Sequence, residues 1–358
     1  MHPSHFFISG YVRSGTTLLD KLLCNHSNIS ALSQALPCLF IAIKKRFLKK
    51  INADSYYSLS HYCGENCYSP SDFFAFLNNE LISADYINHT LNSGYSGQYT
   101  KVSIPNLTEM TFIEWYRVLV SENRHRLNAD VLGDKEVLCE EYVTYFIKNN
   151  IKVVHIIRNP MDVVNSIYFG GGKEFIGSIK PILFTLHNWR KSAQLALQLS
   201  KKTNFLLVHY EDLVTNQKSA LNHIFSFLEV ENEALSILSN KMRDQAGNIW
   251  FSNSSFQSTN NVNVNRIGGY RKNLSTSLIE YINFICYPEL EQLSYRVLSG
   301  NGTDVINKFT EPFEVNDKHI SHDYSCNDES KKIEIKRFES YLEGDYKMEF
   351  DCKTYDVP

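Results

Sequence analysis

Residues 6–23, FFISGYVRSGTTLLDKLL, decide how this chain is read. The apolar run Phe6-Phe7-Ile8 predicts a short buried strand. It stops at Gly10, passes through a tight loop and enters a helix near Thr16 and Thr17. A loop of this kind aims several backbone N–H groups at one point, and the helix dipole adds partial positive charge there. The spot therefore suits a phosphate. The same letters also serve an ordinary strand–turn–helix with a surface arginine, so support has to come from elsewhere in the chain.

The spacing is close to a P-loop: Gly10, four residues, Gly15, then two threonines. A triphosphate-binding loop reads GxxxxGK[ST], with the lysine on the β- and γ-phosphates and the hydroxyl on Mg²⁺. Here Thr16 stands at the lysine position, and the cation, Arg13, lies inside the loop. That exchange favours a nucleotide with a single 5′-phosphate group over a triphosphate–Mg²⁺ chain.

With 358 residues, 43% of them hydrophobic, the chain is long enough for one large core or a core with an appendage. A formal net charge of −3 gives no reason to expect general nucleic-acid or membrane-surface binding. No apolar run reaches the length of a membrane span. The first strand starts almost at the N-terminus, which leaves no room for a signal peptide, so a cytoplasmic protein is expected. The eight cysteines are scattered, without zinc-ligand spacing, and read as reduced thiols with no metal. Cys63 and Cys67 lie close enough for a local disulfide or half a metal site, but read better as two unpaired thiols.

Further along, Ile29 to Phe40 returns toward the first loop. Residues 41–125 are mostly helical in pattern and rich in Tyr and Phe, a natural lid or acceptor-binding insertion, though the aromatics could equally pack a helical layer. Residues 129–135 predict a strand ending at Lys135. A helix follows over about 140–148, and residues 151–157 form a continuous apolar run suited to a central parallel strand. That strand ends at Arg158-Asn159-Pro160, with Pro160 and Asp162 placed to start a helix. An amphipathic helix runs through Trp189-Arg190. Another strand, 204–209, leads into Tyr210-Glu211-Asp212, with a helix over about 216–228 behind it. The Ser/Asn-rich stretch 252–265 reads as a loop before Arg266 to Lys272 and a helix from Ser275. Such alternation predicts an α/β fold, a P-loop-like parallel sheet flanked by helices on both faces, with its ligand at the carboxyl ends of the strands. Residues 300–358 carry eight Lys/Arg against fourteen Asp/Glu. They read as a small acidic extension after a main domain of residues 1–299, with partial alternation in 332–338 and 346–355 suggesting a hairpin.

The features at the strand ends, taken in order, resemble the sulfotransferases that use 3′-phosphoadenosine 5′-phosphosulfate (PAPS). The likeness spans most of residues 5–298. RSGTT at 13–17 is similar to the family's 5′-phosphate loop. Arg158 followed eight residues later by Ser166 matches its 3′-phosphate motif, Tyr210-Glu211-Asp212 its late strand end, and Lys135 its strand-end lysine. The segment from Val262 to Tyr270 looks closest to protein-tyrosine sulfotransferases and allied bacterial enzymes. The resemblance implies that Arg13, Ser14, Gly15, Thr16 and Thr17 hold the 5′-phosphate and that Arg158 and Ser166 hold the 3′-phosphate. It further implies Tyr210 near the adenine, with Arg266 and Gly268 in the late cofactor loop. PAPS becomes PAP, and no metal is needed.

Sulfuryl transfer is an in-line displacement, so cations aimed at the developing charge matter most. The resemblance gives that role to Lys135 and Arg13. A general base within reach of the acceptor also helps. Here the chain departs from its relatives. The tyrosine-sulfating enzymes' Glu falls on Gln34, a later Ser on Gly268, and the cytosolic enzymes' His on Val137. Glu136, His187, Asp134 and His26 remain as candidate bases, although alternation along a strand would turn Glu136 and Asp134 away from Lys135. The expected function is sulfation of a hydroxyl, or a nitrogen, on a small-molecule acceptor. A secondary metabolite such as an alkaloid or polyketide fits best. A P-loop nucleotide kinase and a catalytically weak nucleotide-binding relative are the rivals.

Overall fold

The computed structural model describes residues 5–33, 36–52, 70–92, 108–137, 139–170, 181–243, 249, 264–298, 302–308 and 328–348. Gln34, Cys63, Cys67, Gly171-Gly172 and most of the Ser/Asn-rich stretch lie outside them.

Five parallel strands make the central sheet: β1 (His5–Ser9), β2 (Ile29–Ser33), β5 (Val131–Lys135), β6 (Lys152–Ile157) and β7 (Phe205–His209), in the order β2-β5-β1-β6-β7. A two-residue pair, β3 (Ile82–Ser83) and β4 (Glu109–Met110), stands apart and is antiparallel. The chain leaves β1 for strands on one side and later crosses to the other. The loop after β1 therefore sits at the switch point, where open α/β sheets bind ligands.

Strand alternation sends apolar side chains to both faces. Phe6 and Ile8 of β1, with Val154 and Ile156 of β6, pack under α1 (Thr16–Leu23), α9 (Tyr210–Thr215), α10 (Gln217–Leu228) and α11 (Ala234–Ser239). Phe7, Leu132 and Val153 face the other way, toward α2 (Pro37–Lys50), α3 (Pro70–Asn79), α4 (Ala84–Asn92), α5 (Phe112–Arg126) and α6 (Val143–Lys148). The aromatics of the insertion are core here: Phe73, Phe112 and Tyr116 interlock with Phe40, Tyr142 and Phe146 on either side of it in the chain, with edge-on contacts such as Phe40–Tyr142 at 4.9 Å. A third cluster joins α7 (Pro160–Tyr168), α8 (Ile182–Leu199), α12 (Thr276–Ile285) and α13 (Tyr287–Gln292).

The end of the chain corrects one expectation. Residues 332–338 belong to no hairpin: they lie within helix α15 (Asp328–Leu342), which follows the short α14 (Val305–Lys308). Ile306 and Phe338 join the third cluster, and Glu334 is buried. Its carboxylate meets His187 Nε2 at 2.7 Å, Arg337 Nε at 2.8 Å and Arg190 Nη1 at 3.4 Å. Glu289 holds the other side of Arg190, Nε to Oε1 at 3.4 Å, and also accepts from Gln194 at 2.7 Å. Burial alone would raise the Glu334 carboxyl, but Arg337, Arg190 and His187 hold it well below the usual carboxylate range.

Glu334→Gln should therefore cost about 3 kcal/mol at pH 7, because it removes the buried carboxylate that the Arg190 and Arg337 guanidiniums share. A carboxyl depressed by folding stabilises fully above its ordinary value of 4.5 and loses that contribution as pH falls. Denaturation of both proteins should show the gap closing below pH 4.5; a gap independent of pH would contradict the ion-pair account.

Candidate anion-binding and catalytic site

The loop 10–15 is curled by backbone that ordinary residues avoid. Gly15 has φ of 103° and Arg13, a non-glycine, 67°. The turn is closed by Ser14 N–H donating to Tyr11 O at 3.1 Å. Left-handed positions of this kind gather successive N–H groups into an anion-binding concavity. Neighbours press on it closely. A Cβ at Gly15 would stand 2.4 Å from Tyr210 Cδ2, and one at Gly10 would stand 2.4 Å from Ile156 O. Ser14 Oγ is buried here without a hydrogen-bond partner among the described residues.

Arg158 follows β6 and faces that loop. Trp189 Nε1–H fixes its carbonyl at 2.8 Å, and its guanidinium lies over the Tyr210 ring, 4.3 Å from the centroid. Nη1 donates to Arg13 O at 3.3 Å and Nη2 to Arg266 O at 2.7 Å, while the buried Nε has no partner among the described residues. Arg13 Nε in turn donates to Ser166 Oγ at 2.9 Å. The 5′ loop and the Arg–Ser motif thus meet side by side. Burial, then the proximity of Arg158 and Arg266, lowers the proton affinity of the Arg13 guanidinium. Three guanidiniums sharing one crevice invite an anion, and the two orphaned donors, Ser14 Oγ and Arg158 Nε, mark where it would bind.

Helix α7 carries the second half of this arrangement. Asn159 caps it, accepting from Met161 N–H at 2.9 Å, and Pro160 opens its first turn. Glu211 accepts the Asn159 N–H at 3.0 Å and the Tyr295 hydroxyl at 2.9 Å. Asp162 accepts two backbone N–H groups of the late loop, Gly268 at 2.7 Å and Tyr270 at 3.1 Å. Asn165 Oδ1 accepts from Asn273 Nδ2 at 2.8 Å. Gly268 is left-handed, with φ of 71°.

Lys135 ends β5, in register with Ile8 of β1 and Ser33 of β2. It is buried on the side of α1, near Asp20 and Lys21, and burial lowers its proton affinity. Its neighbours point elsewhere, as strand alternation requires. Asp134 accepts the Tyr116 hydroxyl at 3.0 Å and is pushed up to about 7 by burial. Glu136 Oε1 accepts the Leu36 N–H at 2.8 Å; its Oε2 has no hydrogen-bond partner among the described residues, and burial raises the carboxyl well above its usual range.

The structure thus gathers Arg13, Ser14, Gly15, Arg158, Ser166, Tyr210, Arg266 and Gly268 around one crevice. Thr16 and Thr17 open α1 behind the loop, and Lys135 lies on the adjoining strand. It does not gather the histidines. His187 is committed to Glu334, and His26 to a turn, donating to Glu231 O at 2.8 Å and accepting from Asn28 N–H at 3.0 Å. Sequence reasoning missed the part played by Asp162, Asn165 and Glu211. The one available hint was Asp162 lying four residues from both Arg158 and Ser166.

A family model described as "Sulfotransferase domain" matches residues 3–294. Among solved structures, the sulfotransferase domain from the curacin biosynthetic pathway is 20% identical, covering 83% of this chain and 99% of its own, with a TM-score of 0.50. The sulfotransferase domain of the Synechococcus PCC 7002 olefin synthase is 18% identical over 83% of this chain and 97% of its own, with a TM-score of 0.48. Mouse sulfotransferase SULT7A1, complexed with PAP, is 13% identical over 80% of this chain and 84% of its own, with a TM-score of 0.41. No curated protein matches the chain.

Gly15→Ala combines a left-handed backbone with contact against Tyr210 and should destabilise the fold by about 1–3 kcal/mol. Gly302→Ala, with nothing among the described residues within 4 Å of the added Cβ, is the control and should be near neutral. Thermal denaturation separates the two; equal midpoints would show that the loop is looser than described.

Proposed function

The chain belongs to the sulfotransferase-domain family and is a sulfotransferase enzyme; from that premise we propose that it takes its sulfuryl group from PAPS and delivers it to a small-molecule acceptor. The observation that carries the donor assignment is the junction of two anion sites, with Arg158 bonded to the Arg13 carbonyl and Arg13 bonded to Ser166. PAPS has a phosphosulfate at one end and a 3′-phosphate at the other, so it needs two anion sites in one crevice. When bound, it supplies an activated sulfuryl group on a phosphate leaving group.

The residues divide the work by position. The N–H groups of Ser14 to Thr17 and the two threonine hydroxyls hold the 5′-phosphate. Arg158 and Ser166 hold the 3′-phosphate, the arginine offering a fork matched to phosphate oxygens. Tyr210, already under the Arg158 guanidinium, offers a face near the adenine, and Arg266 with Gly268 closes the side. Lys135 and Arg13 supply positive charge where negative charge develops in transfer, a contribution that needs no reorganisation at the moment of reaction. Glu136 and Asp134 are the remaining carboxyl candidates for accepting the acceptor's proton: each has one buried oxygen without a hydrogen-bond partner among the described residues, although both are turned away from Lys135 and burial raises both carboxyls.

The acceptor carries a hydroxyl or a nitrogen. The likeness to a curacin-pathway domain supports a secondary metabolite, an alkaloid or polyketide, and a cytoplasmic site of action fits such tailoring. Among the described residues no helix is long and apolar enough to cross a membrane. A nucleotide kinase would want the lysine that Thr16 replaces.

PAP should stabilise the protein against heat and ATP–Mg²⁺ should not; the reverse would favour a kinase. Arg158→Ala should weaken PAP binding about 10- to 100-fold by calorimetry, the loss of charge-assisted hydrogen bonds. Lys135→Ala should leave PAP affinity within a few fold but slow transfer about 10²- to 10³-fold. Transfer is read by mass spectrometry as one added sulfuryl group on acceptors in an extract supplied with PAPS. PAP binding with no transfer to any acceptor would favour a binding relative over an enzyme of this specificity.

A further inference from the structure

Helix α7 presents Asp162, Asn165 and Ser166 on one side, at the three- and four-residue spacings that make helical neighbours. Ser166 touches Arg13, whereas Asp162 and Asn165 touch the late loop. Asp162 is buried, and each of its oxygens accepts a backbone N–H, from Gly268 at 2.7 Å and from Tyr270 at 3.1 Å. Gly269, between them, lies against the same helix: a Cβ there would be 3.5 Å from Asn165 Nδ2 and 3.9 Å from Asp162 Oδ1. Asn273 adds a third fastening through Asn165, and the Arg266 carbonyl, just upstream, receives Arg158 Nη2 at 2.7 Å.

We infer that Asp162 is a positioning residue for the donor: it clamps the loop 266–270 against α7 and so sets the place of Arg266 beside Arg158 and Arg13. The inference rests on the donor assignment above. Two effects of the Asp162 carboxylate oppose each other. Its negative charge lies close to a site built for anions and repels them. Its two hydrogen bonds hold a loop whose Gly268 has left-handed backbone. If charge dominated, removing it would tighten anion binding; if the clamp dominates, removing it weakens binding. Two charge-assisted hydrogen bonds to backbone outweigh a single like charge in a crevice that already holds three guanidiniums.

Asp162→Asn keeps the shape, keeps one acceptor and removes the charge, so the sign of its effect decides between them. Calorimetry with PAP should show binding about tenfold weaker than wild type. The KM for PAPS should rise by a similar factor, with kcat at saturating donor within about threefold. Without any nucleotide, hydrogen exchange at the Gly268 and Tyr270 amides should quicken in Asp162→Asn. Asn273→Ala, at an exposed partner of the same helix, should loosen the loop in the same direction and to a smaller extent, and it serves where Asp162→Asn does not fold. Unchanged or tighter PAP binding, or unchanged amide exchange, overturns the clamp. If wild-type protein itself ignores PAP, the donor assignment falls, and the exchange measurement still decides whether Asp162 holds the loop.

Discussion

Three guanidiniums in one crevice are the constraint that the rest of the site accommodates. Bringing Arg13, Arg158 and Arg266 together costs desolvation and mutual repulsion, and the fold meets that cost with neutral acceptors. Arg158 is held by two backbone carbonyls and a tyrosine face, and Arg13 by a serine hydroxyl. Carbonyls and hydroxyls orient a cation without cancelling its charge, so the field remains available to a ligand. The carboxylates nearby are turned to backbone instead, Asp162 to two N–H groups and Glu211 to another.

What was legible in the sequence is what is local. The strand–loop–helix at 6–23, the apolar run before Arg158 and the Arg–Ser spacing each draw their meaning from a few adjacent residues, and the structure shows them as β1–α1 and β6–α7. The short strand β2, with serines at 30 and 33, has too little apolar character to declare itself. Its pairing with β5 comes from the sheet around it. The site was legible as a set of residue types at strand ends, and their convergence as a consequence of parallel topology. The fastening of the late loop was not, because Asp162 and Gly268 are 106 positions apart.

Helix α15 shows a different kind of concealment. Its inward side is Glu334, Arg337 and Phe338, while Ile333 is 53% exposed. A hydrophobicity pattern reads such a segment inside out. The partners that make a buried glutamate tolerable, His187, Arg190 and Arg337, lie mostly on another helix far up the chain. Only with α8 and α15 in contact does the charge pattern make sense as an interior.

That contact reaches the crevice by a short route. Trp189, flanked in sequence by Arg190, holds the carbonyl of Arg158, so the same helix supports the arginine cluster and receives the tail. The family match ends at residue 294, yet the packed interior continues at least to residue 346, where the Tyr346 hydroxyl donates to Glu289. Trimming the enzyme to its recognisable portion would bare the buried Arg190–Glu334 pairing together with the apolar seat of Ile306 and Phe338.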